Sequence, residues 1–173
     1  MSATNKIILA KQILHNIVIP ALDTLGMNSK AAQELVIGTG IQESLLVHRT
    51  QIGNGPALGL WQMEPATFWD IWNNYINYHA EIRGPMNKIL NGASPSSKLL
   101  AANDMFAAAM CRVHYRRIIK PLPKAGDVRG HAEYWKRYYN TTLGSGDPDE
   151  FVAKWGQYIT NDTWELTPGT MLA

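Results

Sequence analysis

A single cysteine, Cys111, stands among 173 residues, so the chain can form no disulfide within itself. Charge is also scarce: 17% of residues carry it, and the formal net charge is only +2. So weak a balance gives no electrostatic reason to expect nucleic acid or an acidic membrane surface as partner. No uninterrupted apolar run approaches the ~18 residues that suggest a bilayer span. The five histidines form no H-E-x-x-H and no Cys/His cluster, so neither a metal nor any other cofactor is implied. Repeats, low-complexity segments and linkers are missing as well. Apolar residues, in contrast, make up 46% of the chain and aromatics 9%. A disordered chain is richer in charge and poorer in aromatics, and this length suffices for one domain with its own core.

The apolar spacing is helical, and the chain reads as a single all-α domain over 1–173. In the first 26 residues Leu9, Ile13 and Ile17 recur every four positions, flanked by Ala10, Leu14 and Val18. Lys11, Gln12, His15 and Asn16 interrupt the stretch, so it predicts an amphipathic helix, not a signal peptide. A second helix is expected over 29–47, capped by Asn28 or Ser29, then a glycine-rich loop over 48–60. Pro65 suits the first turn of a third helix, running to 79. The stretch 83–97, with Gly84, Pro85, Gly92 and Pro95, reads as a connection. A long apolar helix follows over 98–119, capped by Ser94 or Ser96 and ended by Pro121 and Pro123. Asp127 starts another, broken by Gly144 and Gly146. Asp147, Pro148 and Glu150 mark the start of the last helix, with Phe151, Trp155 and Ile159 on one face. Residues 161–173 read as an irregular tail.

The segment 40–67, GIQESLLVHRTQIGNGPALGLWQMEPAT, carries the most chemistry. Glu43 falls near the C-terminal end of its helix, where the partial negative charge disfavours a carboxylate. Apolar neighbours such as Leu45, Leu46 or Trp61 would add desolvation, and both effects raise a carboxyl pKa. A Glu kept protonated near neutral pH can protonate a leaving oxygen, as a glycosidase requires. The glycine-rich loop can bring backbone N–H groups close to a ligand. Gln62 offers two donors and an acceptor, either to a ligand or to brace the loop. Trp61 offers a stacking face or a core ring, and core packing is the plainer reading for Trp69, Trp72, Trp135 and Trp155 too.

These residues resemble the lysozyme-like superfamily, nearest to soluble lytic transglycosylases and goose-type lysozymes. That family has a Glu-Ser pair at a helix end, then Gly-Leu-Met-Gln-x-x-Pro-x-Thr. Here Glu43-Ser44 is followed by Gly59-Leu60-Trp61-Gln62-Met63-Glu64-Pro65-Ala66-Thr67, at close to the family's spacing and with Trp61 replacing Met. The resemblance implies a lysozyme-like helical fold, Glu43 as catalytic acid/base, and substrate contacts from Gln62, Ser44 and Gly59. A later Asn-led motif corresponds to 103–111, with Ala107 in place of Gly. The family's Tyr-Asn motif corresponds to Tyr139-Asn140-Thr141, with its glycine displaced to Gly144. It implies substrate contacts from Tyr139 and Asn140. Tyr139 could equally be a buried, hydrogen-bonded tyrosine. The stretches AEYWKRYYNT and GSGDPDEFVAKW resemble compact phage-encoded muramidases.

Mechanism turns on a second carboxylate. Glycosidases that use two hold them about 5–5.5 Å apart when retaining and about 6.5–9.5 Å when inverting. Glu64, Asp70 and Asp104 are the candidates. Without a partner Glu43 can serve both steps, leaving a 1,6-anhydro-muramoyl end. The expected partner is peptidoglycan, cut at the MurNAc–GlcNAc β-1,4 linkage, with other virion or tail proteins of a phage particle as further candidate partners. The expected location is a virion, or the host cytoplasm before release, with action at the cell wall. The other class of reading is a lysozyme-fold virion or wall-binding component with little or no catalysis. His48 could line the cleft. Cys111 reads as a small buried hydrophobe. The basic run 112–117 reads as a solvated helix face, or as a surface attracting an anionic polymer.

Overall fold

Residues 1–53, 55–140 and 145–165 are described by the computed structural model. Among them the chain is mostly helical and contains no strand. Two isolated bridges, Thr50 with Leu58 and Leu58 with Met63, fasten the loop before the third helix.

The N-terminal rod is α1 (Ala3–Ile13), a π turn (Leu14–Val18) and α2 (Ile19–Thr24). Pro20 has no N–H to continue the α ladder, and the turn before it widens so that the Ile19 N–H bonds the Leu14 carbonyl. Ser29 caps α3 (Lys30–Ser44), its Oγ accepting from the Ala32 N–H at 3.2 Å. Then come α4 (Pro65–Asn74), α5 (Ala80–Leu90), α6 (Leu99–Ala102), α7 (Asp104–Arg116), α8 (Val128–Trp135) and α9 (Pro148–Tyr158).

Two helices form the centre. On α3 nearly every residue from Ala32 to Ser44 is buried, and on α7 the run from Phe106 to Val113 is. A helix apolar on all sides must be wrapped by others. The rod, α7, α8 and α9 all pack on α3. Gly38 lets α9 come close: a Cβ there would lie 2.5 Å from the Phe151 ring. Glu34 ties α3 to α8, its Oε2 accepting from His131 Nε2 at 3.0 Å and from the Gly126 N–H at 2.8 Å. By length and composition alone, Ala3–Thr24 reaches what a bilayer crossing needs. In this structure its Ala10, Leu14, Val18, Ala21 and Leu22 belong to the one apolar core that joins all the layers.

Several expected boundaries move. The second helix stops at Ser44, not 47. The third ends at Asn74, and a 3-10 turn, Ile76–Tyr78, follows. The expected connection over 83–97 is largely the helix α5. Ile82, Met86 and Ile89 recur at helical spacing, and burying them outweighs the hydrogen bond lost at Pro85. It ends at Asn91 and Gly92, both with positive φ. The expected long helix over 98–119 is two: Asn103 breaks it, and its Oδ1 caps α7 by accepting from the Phe106 N–H at 3.0 Å. The tail begins with a 3-10 turn, Asn161–Trp164. Residues 166–173, and Thr141 and Gly144 of the later motif, lie outside the described residues.

Candidate active site

Helix α3 ends in a way that fixes Glu43. Leu45 and Leu46 both take left-handed backbone, with φ of 55° and 57°. That conformation costs a non-glycine residue roughly 1–2 kcal/mol. Burial of the Leu46 side chain against Gly40, where a Cβ would lie 2.7 Å from Leu46 Cδ2, offsets it. Ser44 is buried too. Its Oγ donates to the Leu60 carbonyl at 2.6 Å and accepts from the Leu46 N–H at 3.1 Å. The expected substrate contact of Ser44 is therefore corrected: its hydroxyl locks the helix end to the following loop.

The Glu43 carboxyl is half-buried and accepts from Trp135 Nε1 at 2.8 Å. Burial pushes its pKa up to about 7, against the opposing pull of the Trp135 hydrogen bond and the Lys154 charge. Lys154 is held by Glu150 at 2.8 Å and by the Gln42 carbonyl at 3.1 Å. Desolvation is the dominant cause, as the apolar neighbours suggested.

The opposite wall comes from the motif loop. Gln62 has φ 45°, and its Nε2 donates to the Gly59 and His48 carbonyls at 2.9 and 3.2 Å. Its amide thus braces the loop and leaves Oε1 as the group without a partner among the described residues. Gly59 does not line the cleft. It has φ 76°, and a Cβ there would lie 2.0 Å from the Leu100 carbonyl oxygen, so the position demands glycine for packing. Trp61 is a core ring, its Nε1 donating to the Val36 carbonyl at 2.8 Å. Tyr139 lines the cleft, and its hydroxyl donates to the Trp61 carbonyl at 2.6 Å. Burial keeps that phenol protonated, well above its ordinary range. A π turn, Lys136–Asn140, carries both Tyr139 and Asn140 to the cleft. Asn140 Oδ1 accepts from Lys136 Nζ at 2.9 Å and from the Gly146 N–H at 3.1 Å.

Glu43, Gln62, Glu64, Tyr139 and Asn140 thus share one cleft of about 660 Å³. That size lies within the range of small-molecule sites. Glu64 is exposed at its rim, at the N-cap of α4. The other two candidate carboxylates are engaged elsewhere, Asp70 with Arg117 at 2.6 Å and Asp104 with Arg49 at 2.5 Å. His48 lines the cleft, and so does His114, which sequence reasoning placed on a solvated basic face. Burial lowers the His114 pKa to about 4. Its neutral ring donates from Nε2 to the Tyr138 carbonyl at 2.9 Å. The basic run as a whole is corrected: Arg112 and Tyr115 are buried, because α7 is wrapped on most sides. Trp135 was expected to be core, and it is, yet its indole N–H also addresses Glu43. Core packing was the plainer reading of Trp135, and nothing in the sequence points to that contact.

A half-buried carboxyl that holds its proton up to about pH 7 and lines a polar cleft can donate a proton to a bound oxygen and take one back. Comparison with protein-family models, with curated proteins and with solved structures returns no match to this chain.

Proposed function

We propose that this protein cleaves the MurNAc–GlcNAc β-1,4 linkage of peptidoglycan, with Glu43 as general acid and then base. The observation that carries this reading is the Glu43 carboxyl, raised to about 7 by burial at the wall of the 660 Å³ cleft. Around neutral pH a large fraction of it holds the proton that a glycosidic oxygen must receive. That oxygen takes the proton as the bond from C1 breaks. The muramoyl 6-hydroxyl then attacks C1 and returns its proton to the Glu43 carboxylate, closing a 1,6-anhydro ring. Water in place of that hydroxyl gives hydrolysis, and Glu64 is the cleft carboxylate able to activate it. Gln62 Oε1 and Asn140 are placed to hold sugar hydroxyl or acetamido groups, and Tyr139 to pack against a ring. The lysozyme-like resemblance of 43–67 supports this assignment. The segments similar to phage muramidases favour a virion component that acts at the cell wall, with other particle proteins as neighbours.

The test is digestion of purified peptidoglycan by the wild type and by Glu43→Gln, with products read by mass spectrometry. The wild type is expected to release muropeptides and the variant to lose at least about 100-fold in rate. Products one water lighter than reducing ends would identify transglycosylation. Activity is expected to fall as pH rises through about 7, where Glu43 loses its proton.

A second reading, a lysozyme-fold wall-binding or structural virion component without catalysis, is favoured by one feature. The Gln62 amide and the Tyr139 hydroxyl both donate to protein carbonyls. Folded wild type that pulls down with peptidoglycan and releases nothing would establish it.

A further inference from the structure

Arg112 and His114 are two residues apart on α7, about 200° around the helix, so they face different surroundings. His114 lines the Glu43 cleft, whereas Arg112 lines a separate pocket of about 220 Å³ that shares no residue with it. Only 9% of Arg112 is exposed. Its guanidinium makes no hydrogen bond or ion pair among the described residues, and Nε and Nη1 are sealed from solvent without a partner. Nη2 is not among those sealed atoms. Burial pushes the Arg112 pKa down, and the nearby Arg116 charge acts in the same direction. An arginine does not shed its proton in response. A buried, unpaired cation is expensive, and it calls for an anion.

The rest of the lining specifies which anion. Arg116 and Lys120 add two cations, and among the described residues no acidic one lines the pocket. Ile118, Ile119 and Leu122 supply an apolar wall, with Ile119 fully exposed at 102%. A compact inorganic anion would use the charge and leave that wall wet. We propose that this pocket binds an aliphatic carboxylate, its charged end on Arg112 with Arg116 and Lys120 around it and its hydrocarbon part on Ile118, Ile119 and Leu122. Arginine favours carboxylates through charge-assisted hydrogen bonds, and Nη2 provides one. The inference is independent of the glycan-cleaving reading, because the two sites share no residue.

The test is a titration of the ¹⁵N-labelled full chain, followed by amide and arginine Nε shifts. N-acetyl-leucine stands for a chain terminus, isovalerate for a free acid, N-acetyl-leucinamide for the same shape without charge, and inorganic phosphate for a compact anion. Saturable shifts confined to 112–122 are expected with either carboxylate, leaving Glu43 and Gln62 unmoved. Tighter binding of N-acetyl-leucine identifies a chain terminus as the source, and tighter isovalerate a free acid. Arg116→Gln is expected to weaken binding about twofold to fivefold, and Arg112→Met at least about 30-fold. Arg112→Met should also melt no lower than the wild type, since it removes an unpaired buried charge. If that variant does not fold, Arg116→Gln and Lys120→Gln decide the matter. Absence of shifts with both carboxylates, equal shifts with the uncharged amide, or shifts with phosphate alone would overturn the proposal.

Discussion

Glu43 and His114 face the same cleft and drive stability in opposite directions with pH. Burial lifts the Glu43 carboxyl to about 7, so between about pH 4.5 and 7 the folded chain holds a proton that the unfolded chain has released. Stability from this group is greatest below about 4.5 and is lost as pH rises to 7. Burial lowers His114 to about 4, so the unfolded chain takes up a proton first as pH falls below about 6.5. Its contribution is present above 6.5 and is lost on the way down to 4. Over the shared window the two slopes offset each other. Glu43→Gln keeps an acceptor for Trp135 Nε1 and removes the acid. At pH 8 it is expected to be more stable than the wild type by about 2–3 kcal/mol, with the gain fading toward pH 4.5. Urea melts at pH 4.5, 6 and 8 measure this, and equal midpoints at pH 8 would mean that Glu43 ionises without penalty. Sequence alone pointed to Glu43 and to the cause of its shift, because a Glu beside leucines at a helix end is a local pattern. Trp135, which bonds Glu43, and His114, which lines the cleft, were not legible, since each comes from a helix distant in the chain.

Helix α3 holds the site because small residues let its neighbours approach. At Gly38 an added methyl would meet the Phe151 ring at 2.5 Å and Trp155 at 3.2 Å, so α9 would have to move. Gly38→Ala gains helix propensity but overpacks this contact, and a net loss of about 1–2 kcal/mol is expected in thermal or urea unfolding. A variant more stable than the wild type would show that α9 shifts freely. Helices were the most readable elements where apolar period and cap agreed, as in α3 with Ser29 and α9 with Asp147. They were misread where one local rule opposed another. In α5 the glycine and proline signals outvoted the spacing of Ile82, Met86 and Ile89. Between α6 and α7 the apolar run hid Asn103, a cap that ends one helix and starts the next.

The molecule is bound together by one core that its N-terminal rod helps to build. The rod packs on α3, α5, α7 and α9. A chain lacking residues 1–24 is therefore expected to lose cooperative unfolding and dispersed amide signals, exposing Leu35 and Ile37 of α3 among others. A truncated chain that melts cooperatively near the wild-type midpoint would show the rod to be an appendage. The sequence by itself determined the helical class, and it singled out Glu43 as a carboxyl with local reason to hold its proton. Those follow from apolar period, caps and a short contiguous motif, all local in the chain. Only the tertiary structure decided that Ser44 and Gly59 serve packing, that Glu64 alone of the three candidate acids reaches the cleft, and that Arg112 is buried without a partner among the described residues. Each of these depends on which surfaces of distant helices meet, and burial, not spacing, then sets the charge state and the hydrogen-bonding freedom of the groups left facing the cleft.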